Sequence, residues 1–279
     1  MILTLSIILF FLMLLVGGNR GVDSFFALCK TVLVMGANIY MLAWGMPAIP
    51  TTFLMCVLYI IIVLYVQNGK NAKMHAAAVS VIVVLLFVFA AAGPVLMLAG
   101  NSGYNEIEQY EEISMYLSGD LAVSMSAVAL SAVVLGLLGA IMDTAVAITT
   151  AVNEVYVNQN QLSTKELFQS GLTVGKDILG TTVNTLFFAG LGECIMLAVL
   201  FMKNEDSFIE ILNSKALFQE VSGLLIGVTG CILIIPVSSL ICAFFLTISE
   251  EKSVKNESLL RNCYKLCKKV LKSVKNMLK

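Results

Sequence analysis

Residues 136–155, GLLGAIMDTAVAITTAVNEV, are apolar except at a few small polar positions and two acids, Asp143 and Glu154. In a helix eleven residues make about three turns, so the two carboxylates point nearly the same way, about 16 Å apart along the axis. Ala132, Gly136, Ala140, Ala147 and Thr150 fall on the same stripe. Side chains this small let another helix approach closely, so the stripe is expected to be buried against protein.

The rest of the chain decides what such a helix is for. Hydrophobic residues make up 59% of the 279 and charged ones 13%, and several apolar runs approach the roughly 20 residues that cross a bilayer. The fold expected is all-α, a polytopic transmembrane helical bundle. The runs are Ile2 to Val16, Phe25 to Met46, Thr51 to Val66, Met74 to Ala99, Leu121 to about Thr150, Ile178 to Met202 and Val221 to Ile248, which gives about seven spans. The first run is short, yet it lacks the basic leader and small-residue cleavage site of a signal peptide, so a retained helix is expected. Residues 1–250 form the membrane domain and residues 251–279 a Lys-rich tail, since composition changes only there.

Lys and Arg near span ends are held on the cytoplasmic side. With seven spans and the tail inside, 15 of the 17 basic residues obey that rule, and only Lys203 and Lys215 fall outside. The outer loops then take Glu106, Glu108, Glu111 and Glu112, and Glu205, Asp206 and Glu210. The expected orientation in a cytoplasmic (cell) membrane is N-terminus out and C-terminus in. In the tail, Leu259, Cys263, Leu266, Val270, Val274 and Met277 form one helical stripe among lysines. That is a basic amphipathic helix suited to an anionic bilayer surface.

Further polar groups gather where the chain re-enters the membrane. STKE, residues 163–166, is a capping box that should start a short cytoplasmic or interfacial helix. Lys176, Asp177, Thr181, Asn184 and Thr185 follow in the first turns of the sixth span, with Asp177, Thr181, Asn184 and Phe188 on one face. Lys176 could pair with Asp143. Glu193 lies about nine residues before Lys203, roughly 13 Å inside the span. Asp143, Glu154, Lys176, Asp177, Thr181, Asn184 and Glu193 are therefore the candidate residues of a polar pathway or of a helix seam. Intramembrane carboxylates are the usual elements of an ion or proton path, whereas polar side chains also simply join helices. Lys30 and Asn38 in the second run are less specific, and Pro94 and Pro236 are expected to break or kink their spans.

Three blocks, GLLGAIMDTAVAITTAVNEV, STKELFQSGLTVGKDILGTTVNTLFFAGLG and IIPVSSLICAFF, resemble the YibE/F-like family of bacterial multi-pass membrane proteins, and its shorter, YibF-type members most. The resemblance runs from Gly21 to about Leu246. It implies a bacterial membrane protein of about seven spans, working beside a YibE-type membrane partner, and it supplies no catalytic residues; a homo-oligomer is the alternative assembly expected.

No enzyme is expected. HExxH is absent and His75 is the only histidine, which leaves no zinc protease or serine–histidine site, and Asp143 and Asp177 lack the GxGD context of an intramembrane aspartyl protease. No GxxxxGK[ST] loop is present, so transport would need a gradient or a separate ATPase. No cofactor, catalytic metal or nucleic-acid partner is expected; the lipid bilayer is. The function expected is a permease or permease subunit for a small solute or ion. The alternative is a non-transporting scaffold, the partner subunit of a YibE-type complex.

Overall fold

The computed structural model describes residues 1–67, 69, 71–98, 105, 124–159, 162–204 and 207–277, with side chains described within these bounds except at 66–67, 95–98 and 248–277. Lys70, Glu106, Glu108, Glu111, Glu112, Glu205 and Asp206 lie outside the described residues, as do the side chains that would form the apolar stripe of the tail.

Every described element is helical: α1 (Ile2–Ala43), α2 (Ala48–Ile61) with a π-helical turn Ile62–Gln67, α3 (Ala72–Leu98), α4 (Met125–Asn158), α5 (Thr164–Lys203), α6 (Phe208–Asn213) and α7 (Lys215–Met277). Six of these are long and apolar enough to cross a membrane. The protein is a polytopic helical bundle.

The first two apolar runs meet inside α1. Gly18 has φ 55° and ψ −134°, a conformation open essentially to glycine. The Phe10 and Phe25 ring centroids are 5.0 Å apart, whereas fifteen residues of straight helix would separate them by about 22 Å. A Cβ on Gly21 would run into the Met13 carbonyl. The chain thus doubles back at Gly17 and Gly18, and α1 comprises two arms that correspond to the two runs. Asn38 of the second arm is buried while Lys30 is exposed.

Three expected breaks do not occur. The STKE box caps a helix as its pattern requires, but that helix is not a separate interfacial piece, because α5 runs on without interruption into the sixth span. Its glycines at 171 and 175 are buried contacts with α7 rather than stops. Pro94 and Pro236 both lie inside continuous helices. The candidate span of α7 is Lys215–Thr247, starting six residues before the apolar run, and the helix itself continues to Met277 with no Gly or Pro after Pro236 to interrupt it.

The core sits among α2, α3, α4 and α7, where Ile60, Leu64, Val81, Leu85, Val134, Leu138, Ile141 and Ile234 are buried. A second cluster of Ile148, Val152, Leu167, Ile235, Cys242 and Leu246 seats the start of α5 on α4 and α7. In lipid such contacts act through close packing, because the surroundings are as apolar as the core.

Candidate functional site

α4 is the axis of the site. Leu130, Val134, Leu138, Ile141, Ala145, Ile148 and Val152 recur at helical spacing and are buried, which fixes how the helix is rotated. The opposite stripe therefore points away from the core. Ala132, Gly136, Asp143, Ala147 and Glu154 are exposed, with Ala140 and Thr150 partly covered. The face expected to be buried against protein is thus left uncovered by the described helices of this chain. The larger aliphatic side chains on the other side of α4 took the inward position, and the small stripe was left open.

The neighbours of α4 set its depth. The Ser131 hydroxyl lies 3.5 Å from the Ala48 carbonyl, and Asp143 is within electrostatic range of Tyr59. Both pairs give nearly the same offset, so α2 and α4 run side by side in one direction. Asp143 stands level with Tyr59, about 18 Å along the axis from Ser131, and not at the end of the bundle.

α7 also runs alongside α4 in the same direction. A Cβ on Gly223 would sit 3.5 Å from Val133, one on Gly227 3.8 Å from Leu137, and one on Gly230 2.8 Å from Ile141. α5 runs the opposite way along α7, since Gly171 abuts Ser239, Gly175 abuts Ile235 and Gly190 abuts Leu224. Glycine at each crossing lets the backbones close up.

At the Met125 end of the bundle these three helices leave a cleft of about 500 Å³. Its walls are small or apolar: Ala129, Ala132 and Gly136 of α4, Leu186, Ala189 and Gly190 of α5, Gly223, Leu224 and Gly227 of α7. Among the described residues three polar groups enter it, Glu193 from α5 and Gln219 and Glu220 from α7. Cys194, the chain neighbour of Glu193, is within electrostatic range of Glu220 on α7. The Asn105 amide donates to the Gln219 side-chain carbonyl at 3.0 Å. Among the described residues, no three His, Cys, Asp or Glu side chains converge closely enough to hold a metal ion. Chemically the cleft offers negative charge within an apolar wall, an arrangement that favours a small cation or cationic solute over an anion.

The sequence-derived residues divide between places. Glu193 is in the cleft, and Asp143 is on the same open stripe of α4, farther along the axis. Glu154 is exposed near the end of α4. Lys176, Asp177, Thr181 and Asn184 are exposed on α5, and among the described residues no salt bridge joins Lys176 to Asp143. Gln219 and Glu220 were absent from the sequence reading because the seventh run was started at Val221. The acid one residue ahead of an apolar run was the signal that could have found them. The helix α6 was also missed, although Ser207 and Glu210 carry the same S-x-x-E capping box as Ser163 and Glu166.

The YibE/F-like protein family matches residues 5–248, so the match takes in the first arm of α1 as well as the blocks from α4 to α7. No curated protein and no solved structure matches the chain. The chain belongs to the YibE/F-like family.

Proposed function

We propose that this YibE/F-like chain is a permease, or the permease subunit of a larger assembly, that moves a small cationic solute or ion. The observation that carries the reading is the cleft in which Glu193 and Glu220 enter, beside Gln219, a wall of small and apolar residues. Carboxylates at membrane depth are expensive and mark ion and substrate paths, and the open stripe of α4 leads from the cleft wall at Gly136 to Asp143, about 10 Å farther along the axis. Glu193 and Glu220 collect the cation, and Asp143 with Glu154 carries the path onward. No cofactor takes part and no covalent chemistry is catalysed. The chain carries no P-loop motif, so the driving force is a gradient or a separate ATPase.

In this reading the protein sits in a bacterial cytoplasmic membrane with the C-terminus inside, as the distribution of lysine and arginine favours. The cleft then opens outward, and the Lys-rich end of α7 emerges on the cytoplasmic side, where the anionic inner leaflet attracts its lysines.

A second reading has its own observation. The exposed Ala132, Gly136 and Ala147 form a surface on which a helix of another protein could seat, and a non-transporting partner of a YibE-type protein would present such a surface.

Purified protein in liposomes separates the two. Uptake of alkali cations or of small organic cations under an imposed potential, reduced at least tenfold in Glu193→Gln and Glu220→Gln, is the expected result. No flux under any gradient, together with co-purification of a stoichiometric membrane partner, would replace the permease by the scaffold.

A further inference from the structure

The helix α5 crosses the membrane with one side bare. Gly171, Gly175, Gly190 and Leu197 mark the side turned to the bundle. Asp177, Gly180, Asn184, Phe187 and Leu191 on the other side are all exposed, and they recur at intervals of three, four, three and four residues. Asn184 and Asp177 do not belong against lipid, where polar groups turn towards protein or water. A spacing that averages 3.5 residues is the seam of two helices wound together in a left-handed pair.

We propose that α5 is the two-fold contact of a homodimer, with Gly180, Asn184, Phe187 and Leu191 meeting the same residues of a second copy and Asp177 meeting that copy's Lys176. The occupant follows from self-complementarity. Two copies of a membrane protein share the bilayer orientation, so a two-fold axis along the membrane normal sets equal depths of α5 side by side, running in the same direction. Asn184 carries both a donor and an acceptor on one amide, so it pairs with its own symmetry mate, and a single asparagine in such a seam fixes register and a pair of strands. Lys176 and Asp177 are neighbours and both exposed, so each copy presents a cation beside the other copy's anion, and the exchange occurs twice. Gly180 has nothing within 4 Å of the place where a Cβ would stand, which lets the two backbones close up between the charged pair and the asparagine. An unrelated helix would need none of these matches. The proposal does not depend on transport, since the cleft lies on the other side of α5.

The test is cross-linking in native membranes, in a full-length variant whose own cysteines are replaced. Single cysteines at 180, 184, 187 and 191 should give a disulfide-linked dimer on mild oxidation. Cysteines at 185 and 196, equally exposed but off the seam, should give at least five-fold less. Asn184→Leu should weaken dimerisation roughly three- to twenty-fold, the range measured for hydrogen bonds between membrane helices, while Asn184→Gln keeps most of it. Uniform cross-linking at all six positions, no dimer at any, or adducts only with a different protein would each overturn the two-fold contact. So would an Asn184→Leu protein that folds, as judged by its thermal transition, and dimerises as well as the parent.

Discussion

Replacing Gly171 by alanine asks whether α5 is really seated on α7 through glycine. The added Cβ would stand 2.5 Å from the Ser239 hydroxyl oxygen, 2.7 Å from the Ser239 Cβ and 2.9 Å from a Val152 methyl, against an ordinary carbon–carbon contact of about 3.5–4.0 Å. None of the three neighbours gives easily. The Ser239 Cβ is tied to the backbone of α7, its hydroxyl is hydrogen-bonded to the Ile235 carbonyl at 2.7 Å, and valine on a helix is held in essentially one rotamer. Overpacking of this kind costs about 1–3 kcal/mol, and with two elements obstructing the methyl the upper half of that range applies. Alanine's better helix propensity returns about 1 kcal/mol. The net destabilisation expected is about 1–2 kcal/mol, which should lower the thermal midpoint of the detergent-purified protein by a few degrees. Gly139→Ala is the control, because nothing lies within 4 Å of a Cβ there, and it should leave the midpoint unchanged or raise it. If Gly171→Ala is as stable as the parent, or if the two variants lose stability equally, the close α5–α7 crossing is refuted.

Two further perturbations read the caps. Ser163 caps α5 by accepting from the Glu166 amide at 3.4 Å, while the Glu166 carboxylate accepts from the Ser163 amide at 2.8 Å; Ser163→Ala should cost about 1 kcal/mol and speed amide exchange in the first turn of α5 without altering exchange near Glu193. In α6, hydrogen bonds from Ser207 hold the Glu210 carboxyl below the usual glutamate range, with the Ser207 amide 2.7 Å from the carboxylate. A lowered folded value means that the cap's contribution is complete above the ordinary glutamate pKa and is lost as pH falls through that value to the lowered one. Amide exchange in α6 should accordingly quicken on acidification, and Ser207→Ala should weaken the pH dependence, leaving the part that comes from the Ser207 backbone amide.

The helices were legible in the sequence wherever apolar runs exceeded a span's length, and the capping box at Ser163 located the start of α5 to the residue. Their continuity was less so. Glycine at 171 and 175 reads locally as a weakness in a helix, and only the arrival of Ser239 and Ile235 from 60 or more residues away turns it into a contact. For the candidate site, spacing correctly grouped Asp143 and Glu154 on one stripe of α4, but their exposure depends on which face the aliphatic residues claim across three other helices. A stripe of small residues is compatible with either a covered or an open face, and the sequence of one helix does not distinguish them. The two cleft residues Gln219 and Glu220 were hidden for a simpler reason: hydropathy marks where a run turns apolar, whereas the helix begins six residues earlier, at Lys215.

In the proposed path Glu193 and Glu220 face one solvent-accessible cleft, which the proposed orientation places at the outer end of the bundle. Single cysteines at 193, 220 and 223, in the same cysteine-replaced protein, can be exposed to a cationic, membrane-impermeant thiosulfonate in right-side-out and in inverted vesicles. Labelling of all three from the outside only, with a cysteine at the lipid-facing position 199 unlabelled, is the result predicted. Failure of 193 and 220 to react from the outside, or their reaction only from the cytoplasmic side, would contradict it.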